Sequence, residues 1–224
     1  MNNQFLNIGG GPHPVHRWDV LDKTGTEYNF DPAKITFDVN LREMKPWPIP
    51  DGTYEIVYSG HTLEHVTEAA WMFAIGEVMR IMQPGGVFRM QVPDYELFWA
   101  DAEKADLNTD RGCKALVDLV TSFASSYKDA GKANPQIIKN DMEKLGPEGF
   151  ASKYTKLAML ESYKSYRGHL SYFTWLKLSQ VISDVGFVDV RRAAQHDSIR
   201  PEMKDDPFDC TIPDHSLYVE AIKP

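Results

Sequence analysis

The sequence is poor in cysteine and in basic residues. Only Cys113 and Cys210 occur among 224 residues, so a framework of several disulfides is excluded and a reducing cytoplasm is the expected compartment. The 24 lysines and arginines are outnumbered by 32 acidic residues, which gives a formal net charge of -8. Non-specific binders of nucleic acids and of anionic membranes need a basic surface, so we expect neither as a partner.

Long hydrophobic runs are missing as well. No apolar stretch approaches the ~20 residues that a membrane-spanning helix needs, and residues 1–4 carry no signal-peptide pattern. With 42% hydrophobic and 25% charged residues, the composition is typical of a globular protein. We expect residues 1–224 to form a single domain with a packed core.

Short apolar segments that end at glycine or aspartate predict the strands of a sheet. A helix is indicated from residue 68, where Trp71, Ile75 and Val78 recur at steps of three and four. Thr174 and Gly186 are the expected caps of a second helix. Strands that alternate with helices or long connections favour an α/β fold with a parallel sheet. The predicted strands begin at Phe5, Trp18, Ile35, Tyr54, Val87, Val188 and Ser216.

Residues 95–168 depart from this alternation. The segment is polar and mostly helical in composition, with Leu116 and Phe123 on one apolar face and a break expected at Gly146-Pro147. We predict that residues 95–168 are a helical insertion that covers the functional site as a lid.

The ends of four predicted strands carry groups that suit a nucleoside. They are residues 9–11, Asp22, Asp38 and residues 59–61. In an open sheet of parallel strands, ligands bind beyond the carboxyl ends of the strands. Glycines let the backbone approach a ligand closely. Asp22 can accept hydrogen bonds from both hydroxyls of a ribose, and Asp38 can accept one from the amine of a base. The pattern therefore indicates a nucleoside-containing cofactor.

The glycines do not form a dinucleotide-binding fingerprint. The third glycine of that motif would fall at Pro14, and both Pro12 and Pro14 remove backbone donors that a pyrophosphate needs. A P-loop lysine pattern is absent too. A cofactor without phosphates is the better match, and we predict S-adenosylmethionine.

Five blocks within residues 5–95 and 169–222 carry a family pattern. They are residues 6–12 (Leu-Asn-Ile-Gly-Gly-Gly-Pro), 18–22 (Trp-Asp-Val-Leu-Asp), 50–65 (ending His-Thr-Leu-Glu-His), 77–86 (ending Gln-Pro-Gly-Gly) and 176–187 (ending Val-Gly-Phe). In this order they resemble class I S-adenosylmethionine-dependent methyltransferases of the type-11 kind. The resemblance implies a Rossmann-like three-layer sandwich with a mostly parallel sheet, an antiparallel last strand and a helical insertion. The helices that often precede the first motif are missing, so the lid is the expected cover.

The resemblance also implies a cofactor site. Gly9 and Gly11 would border the methionine part, Asp22 the ribose, Asp38 the adenine, and residues 59–61 the methyl-donor side. The predicted cofactor-binding set is Asn7, Gly9, Gly10, Gly11, Asp22, Asp38, Val39, Ser59, Gly60 and His61. A structural role competes at each position, because glycines form turns and aspartates solvate loops.

A hydroxyl acceptor needs a base, and histidine is the best suited side chain near neutral pH. We predict His169 as this base and His61 as the first alternative, with a structural histidine as the competing interpretation. Glu64 is expected to be structural. No ligand spacing of the zinc kind is present, so no metal site is predicted; Asp94, His61 and His169 are the set that would converge if one existed.

The motifs leave the acceptor open. The resemblance implies a small molecule, with the hydroxyl of a sugar or nucleotide sugar as the leading acceptor. An N-methyltransferase of an amino sugar or other small amine, and a non-catalytic cofactor-binding module, are the alternatives. A homo-oligomer is also left open. The predicted acceptor residues are Asp94, Tyr95, Arg167 and Tyr172, and Arg111 and Lys164 join Arg167 in a candidate patch for an anionic acceptor.

Overall fold

The computed structural model describes residues 4–10, 18–28, 31–125, 134–162, 165–205 and 207–224. In these residues the strands are β1 (Phe5–Ile8), β2 (Asp19–Asp22), β3 (Phe37–Asp38), β4 (Tyr54–Gly60), β5 (Met82–Pro93), β6 (Val188–Ala193) and β7 (Ser216–Ile222). The helices are α1 (Glu68–Ile81), α2 (Tyr95–Glu103), α3 (Asp110–Ala124), α4 (Pro135–Ser162) and α5 (Trp175–Val185). None of these helices of the described chain combines the length and the apolar character that crossing a bilayer requires.

The seven strands form one sheet in the order β3-β2-β1-β4-β5-β7-β6. Strands β1 to β5 pair in parallel, and among the described strands β7 alone runs against its neighbours. The predicted fold class is thereby confirmed, including the antiparallel last strand. Because β1, β2 and β4 are parallel, their carboxyl ends lie at one edge of the sheet, which brings together the polar residues that follow them.

Two amphipathic helices cover one face of the sheet. In α1, Trp71, Ile75 and Val78 are fully buried and join the main hydrophobic core, as their spacing predicts. Helix α5 packs beside α1 with the predicted caps. The Thr174 side chain accepts a hydrogen bond from the first turn, and Gly186 ends the helix with a φ of 111°. Amphipathic spacing explains why both helices form here. Only α5 has a side-chain N-cap and a glycine C-cap in addition, because Thr67 at the start of α1 makes no side-chain cap hydrogen bond.

The opposite face is covered by residues 194–215 apart from 206, which we call the strap. Its Met203 and Phe208 are buried against Ile56 in a smaller apolar cluster. Asp209 of the strap forms an ion pair with Arg89 of β5, and both side chains have 0% exposure. Alternation along β5 puts Arg89 on this face and apolar neighbours on the α1 face. A buried charge on the sheet therefore fixes the strap.

Helices α2, α3 and α4 lie within the predicted insertion. They build a hydrophobic cluster of their own around Tyr95, Phe123 and Phe150, separate from the α1 face. Helix α4 is interrupted at Gly146, whose φ of 65° and ψ of 176° are not helical, which matches the expected break. The predicted helical character of this segment is confirmed, while its role as a lid stays a prediction.

Candidate active site

A cavity of about 600 Å³ opens at the carboxyl ends of β1, β2 and β4. This donor cavity, as we call it, has the size of a cavity for a cofactor-sized ligand. The predicted cofactor residues among its walls are Asn7, Gly9, Gly10, Asp22, Val39, Gly60 and His61. Gly11, which the same prediction includes, lies outside the described residues.

The wall after β1 depends on a glycine. Gly9 has a φ of +70°, and a Cβ atom placed on it would lie 1.9 Å from the Thr62 hydroxyl oxygen. Thr62 holds this position by donating to the backbone carbonyl of Ile8 (3.2 Å). A side chain at position 9 would therefore meet both backbone strain and a direct clash. The loops after β1 and β4 can close together only because residue 9 is glycine.

The two predicted aspartates differ in position. Asp22 lines the donor cavity, where its Oδ1 accepts a hydrogen bond from the backbone N–H of Lys23 (2.7 Å). Asp38 is exposed and is not among the residues that line the cavity. Its Oδ1 accepts from the backbone N–H of Thr24 (3.0 Å) and from Lys23 Nζ (3.2 Å). Hydrogen bonds from Thr24 are the main reason that the pKa of the Asp38 carboxyl lies below its ordinary value. Its predicted contact with adenine stays a prediction.

Ser59 has 0% exposure and is not part of the cavity wall, although it was predicted to bind the cofactor. Its Oγ has no hydrogen-bond partner among the residues that the structure describes. Strand alternation explains the position, since Tyr58 and Gly60 line the cavity and the residue between them faces the other side of the sheet.

Aromatic rings with cations over them form part of the donor cavity wall. The guanidinium of Arg42 lies 4.4 Å from the centre of the Tyr166 ring, and that of Arg167 lies 5.6 Å from the centre of the Tyr28 ring. Arg167 also donates to the backbone carbonyl of Glu27. The sequence motifs contain no signal for Arg42 and Tyr28, because these residues meet only where the chain after α4 returns to the sheet.

A second cavity of about 510 Å³ adjoins the first. We call it the acceptor cavity. It lies between the strand ends and helices α2 and α3, so the predicted insertion supplies one side of it. His61, His169 and Ile212 line both cavities. The further polar and aromatic walls are Phe98, Asp101, Arg111, Lys114, Asp118, Thr121, Ser122 and His215.

Two of the shared residues have strained backbones. His61 and Ile212 adopt φ values of 45° and 44°, in the left-handed region that residues other than glycine seldom occupy. Strain of this kind is concentrated at functional sites, where the surrounding structure holds it in place. The junction of the two cavities is therefore the part of the molecule with the clearest functional signature.

The two candidate bases are held differently. His169 Nδ1 lies 2.7 Å from the backbone carbonyl oxygen of Ser122. A carbonyl only accepts, so Nδ1 carries the hydrogen and Nε2 of the neutral ring carries the lone pair. His61 uses both ring nitrogens, with Nδ1 2.9 Å from Glu64 Oε1 and Nε2 2.9 Å from Ser216 Oγ. The Ser122 carbonyl thus fixes one tautomer of the His169 ring, whereas the two ring nitrogens of His61 are held by the Glu64 and Ser216 side chains.

Glu64 is the centre of a histidine cluster. Burial acts to raise the pKa of its carboxyl, but the nearby His61, His65 and His169 outweigh that effect and lower the pKa to about 2. Burial also lowers the pKa of His65 to about 4, although Glu64 opposes this shift. The rings of His65 and His169 are 4.7 Å apart, edge to face. At neutral pH the cluster therefore holds an ionised carboxylate beside a neutral His65.

Three predicted acceptor residues lie away from both cavity walls. Asp94 caps α2 by accepting from the backbone N–H of Glu96 (3.0 Å), and it pairs with Arg192 (2.5 Å). Tyr95 is buried in the cluster of the helical segment and donates to a backbone carbonyl, and Tyr172 packs against that cluster. Asp94 would not join His61 and His169 in a metal site, because its carboxylate is held by the helix start and by Arg192.

The predicted anionic patch is divided between the cavities. Arg167 lines the donor cavity, whereas Arg111 lines the acceptor cavity. Lys164 lies outside the described residues. The sequence predicted one patch because these cations share a segment, but in the structure Arg111 and Arg167 line different cavities.

Comparisons with known proteins found one family match and several solved structures of similar fold. Residues 20–90 match the family described as a methyltransferase domain. The fold is similar to a S-adenosylmethionine-dependent methyltransferase from Archaeoglobus fulgidus (13% identity, 98% of this chain and 85% of that chain, TM-score 0.49). It is also similar to one from Thermotoga maritima (12% identity, 99% and 82%, TM-score 0.48). A third similar structure is human N-acetylserotonin methyltransferase in complex with S-adenosylmethionine (11% identity, 98% and 47%, TM-score 0.45).

The family match is stronger evidence than the similarities to solved structures. A comparison with curated proteins finds no match. At such low identities the solved structures carry no argument about the acceptor. The family match covers β2 to β5, the part of the chain that builds most of the donor cavity. It supports S-adenosylmethionine as the cofactor and a S-adenosylmethionine-dependent methyltransferase activity for this chain.

Proposed function

We propose that this chain is a S-adenosylmethionine-dependent methyltransferase that methylates a hydroxyl group of a sugar or nucleotide sugar. The observation that carries the proposal is the pair of adjoining cavities that share His61, His169 and Ile212. A methyl transferase must hold donor and nucleophile in line and shield them from water. Two cavities that meet at the same side chains suit this requirement.

The walls of the donor cavity fit a nucleoside with an amino-acid tail. The glycine turn at Gly9 and Gly10 would leave room for the amino-acid tail. The Asp22 carboxylate would accept hydrogen bonds from the ribose hydroxyls. When bound, S-adenosylmethionine supplies an activated methyl group. The chain's own contribution is to bind it, orient it and exclude water from it.

The proton of the acceptor hydroxyl needs a base, and His169 is our candidate. Its Nδ1–H donates to the Ser122 carbonyl (2.7 Å), which holds the ring with Nε2 as the basic atom. The backbone N–H of His169 donates to Ser125 Oγ (2.9 Å), so the residue is tied to the end of α3 at two points. His169 lines both cavities, where a base for this reaction has to lie.

The chemistry of the acceptor cavity favours a polyhydroxylated ligand. Asp101 and Asp118 offer acceptors and Lys114 offers a donor, beyond the Lys114–Asp118 ion pair and the contact of Asp101 Oδ2 with His215 Nε2 (2.9 Å). The ring pair of Phe98 and His215, 4.7 Å between centres, offers an apolar surface of the size of a sugar ring. Arg111 is exposed and has no ion pair within the described part of the chain, so it suits the phosphates of a nucleotide sugar.

The proposal is tested by measuring S-adenosylhomocysteine release with panels of free sugars, sugar phosphates, nucleotide sugars and amino sugars, and by locating the methyl group. In His169→Ala, kcat should fall by about 10²- to 10⁴-fold, since a general base is lost. The Kd for S-adenosylhomocysteine, measured by calorimetry, should stay almost unchanged. His215→Ala is the matched control in the same cavity and should change KM more than kcat. An unchanged kcat in His169→Ala would remove His169 as the base.

N-methylation of an amino sugar or small amine is the second candidate. The Asp101 carboxylate in the acceptor cavity favours it, because it can accept a hydrogen bond from the N–H of an amine. A neutral amine attacks without a strong base, so His169→Ala would keep most of its turnover in this case. A non-catalytic cofactor-binding module would release no S-adenosylhomocysteine with any acceptor. The acceptor cavity is open, which favours a catalytic protein over a non-catalytic module.

A further inference from the structure

Glu64, His65 and His169 are brought together from two distant parts of the chain. One potential ligand atom of each residue lies within 4.8 Å of those of the other two. Backbone hydrogen bonds hold the two segments together, because Leu170 and Ser171 donate to the Glu64 carbonyl (2.6 and 3.2 Å). Two histidines and one carboxylate form a donor set that divalent transition metals commonly use in proteins.

Two atoms of this cluster are buried without a partner. Glu64 has 0% exposure, and its Oε2 has no hydrogen bond within the described residues. The Nδ1 atom of His65 is likewise buried and has no hydrogen bond within the described residues. Buried polar atoms without partners are rare and need an explanation, of which an ion is one. A metal ion would satisfy both atoms at once.

The remaining atoms of the cluster are held as metal ligands usually are. Histidine ligands commonly donate their other ring N–H to a carbonyl or a carboxylate, and ligating carboxylates accept hydrogen bonds on their second oxygen. His169 Nδ1 donates to the Ser122 carbonyl (2.7 Å). Glu64 Oε1 lies 2.9 Å from His61 Nδ1. These two contacts are of the kind that orients metal ligands in proteins.

We infer that Glu64, His65 and His169 form a binding site for a divalent transition-metal ion, with zinc as the best match. Zinc takes nitrogen and oxygen ligands at about 2.0–2.2 Å, and ligand atoms within 4.8 Å of one another are close enough to share one ion. Three protein ligands leave a fourth position for water. Hard ions such as Mg²⁺ prefer oxygen ligands and should bind weakly.

Zinc at this site has a consequence for the activity proposed above. The lone pair of His169 Nε2 cannot bind an ion and take a proton at the same time. Zinc should therefore slow methyl transfer to a hydroxyl. This consequence depends on the proposed function, whereas zinc binding itself does not.

Binding is tested on untagged, chelator-treated protein by calorimetry with zinc and by the visible absorption of bound Co²⁺. We expect one ion per chain, an increase in the Tm of the wild type on adding zinc, and an affinity about tenfold or more weaker in Glu64→Gln and His65→Gln. His215→Gln is the matched control for adventitious binding by a histidine beside a carboxylate, and it should leave zinc affinity unchanged.

The wild-type measurements keep the test decisive if a variant folds poorly. Absence of a Tm increase and of a Co²⁺ band in the wild type would overturn the site. Equal zinc affinity in the wild type and both cluster variants would overturn it as well. Zinc that binds as expected but accelerates methyl transfer would leave the site intact and overturn His169 as the base.

Discussion

At the scale of single residues, Gly9 shows how one position joins two loops. Its φ of +70° is strained for any other residue, and the space of a Cβ atom is filled by Thr62. Gly25 has the same φ of +70° but nothing within 4 Å of a Cβ atom. The pair therefore separates backbone strain from a steric clash.

We expect Gly9→Ala to lower the free energy of unfolding by more than Gly25→Ala. The left-handed backbone alone costs about 1–2 kcal/mol for alanine, and only Gly9→Ala adds the clash. Urea unfolding measures both variants, and calorimetry should find weaker S-adenosylmethionine binding only in Gly9→Ala. Equal stability of the two variants would contradict the close packing of residue 9 against Thr62.

The two aspartates give a second residue-scale prediction. Asp22 lines the donor cavity, whereas Asp38 reaches it only through the loop of Lys23 and Thr24. Asp22→Ala should weaken S-adenosylmethionine binding by about 1–3 kcal/mol, the value of a hydrogen bond to a charged group. Asp38→Ala should weaken it less. Calorimetry with both variants tests this prediction. A larger loss of affinity in Asp38→Ala than in Asp22→Ala would support the predicted contact of Asp38 with adenine.

At the scale of elements, Glu77 ties α1 to the turn before β4. Its Oε2 accepts from the Trp47 backbone N–H (2.6 Å) and from Arg80 (2.7 Å). Hydrogen bonding to Arg80 is the main reason that the pKa of Glu77 lies below its ordinary value of 4.5. A lowered folded-state pKa stabilises the protein above the ordinary value, and this stability is lost as the pH falls through the lowered one.

Glu77→Gln should therefore destabilise the protein by about 1–3 kcal/mol at neutral pH. The difference from the wild type should shrink at an acidic pH below 4.5, as the pH falls through the lowered pKa and the wild-type carboxyl takes up its proton. Urea unfolding at neutral and at acidic pH measures this difference in the free energy of unfolding. Glu68→Gln on the same helix removes only an exposed pair with Lys177 and should change little. A difference that is independent of pH would contradict the ionic role of Glu77.

At the scale of the whole molecule, the strap links the buried sheet face to the donor cavity. Asp209 pairs with Arg89 beneath it, while Thr211 and Ile212 of the same segment line the cavity. The buried ion pair thus positions a cavity wall that lies far along the chain from the glycine motif. Loss of one partner leaves the other charge buried and uncompensated.

Asp209→Asn should lower the free energy of unfolding by about 3 kcal/mol or more and weaken S-adenosylmethionine binding as well. Asp197→Asn is the control, because Asp197 also belongs to the strap but pairs with Arg191 in solvent. It should change both quantities little. Thermal unfolding and calorimetry measure both variants. An unchanged affinity for S-adenosylmethionine in Asp209→Asn would show that the strap does not position the cofactor site.

Much of the donor cavity was predictable from local patterns. Gly9, Asp22 and His61 each follow a short apolar segment, and parallel strands must bring such ends to one edge. Most strand and helix positions followed from apolar periodicity and caps, which are local properties of the chain. The start of β5 was predicted wrongly, since it begins at Met82 and not at Val87. The antiparallel last strand followed from the motif resemblance, and the cofactor was inferred from the glycine pattern and supported by that resemblance.

The acceptor cavity, the histidine cluster and the strap could not be predicted in this way. Asp101 and His215 meet His169 only after α2 and α3 have packed, and His65 meets it only across a hundred residues of chain. Arg89 reads as an exposed position in an alternating strand, yet Asp209 buries it. Neighbours along the chain encode backbone conformation, whereas contacts between remote side chains depend on how the elements pack, and for that reason local sequence carries no direct record of them.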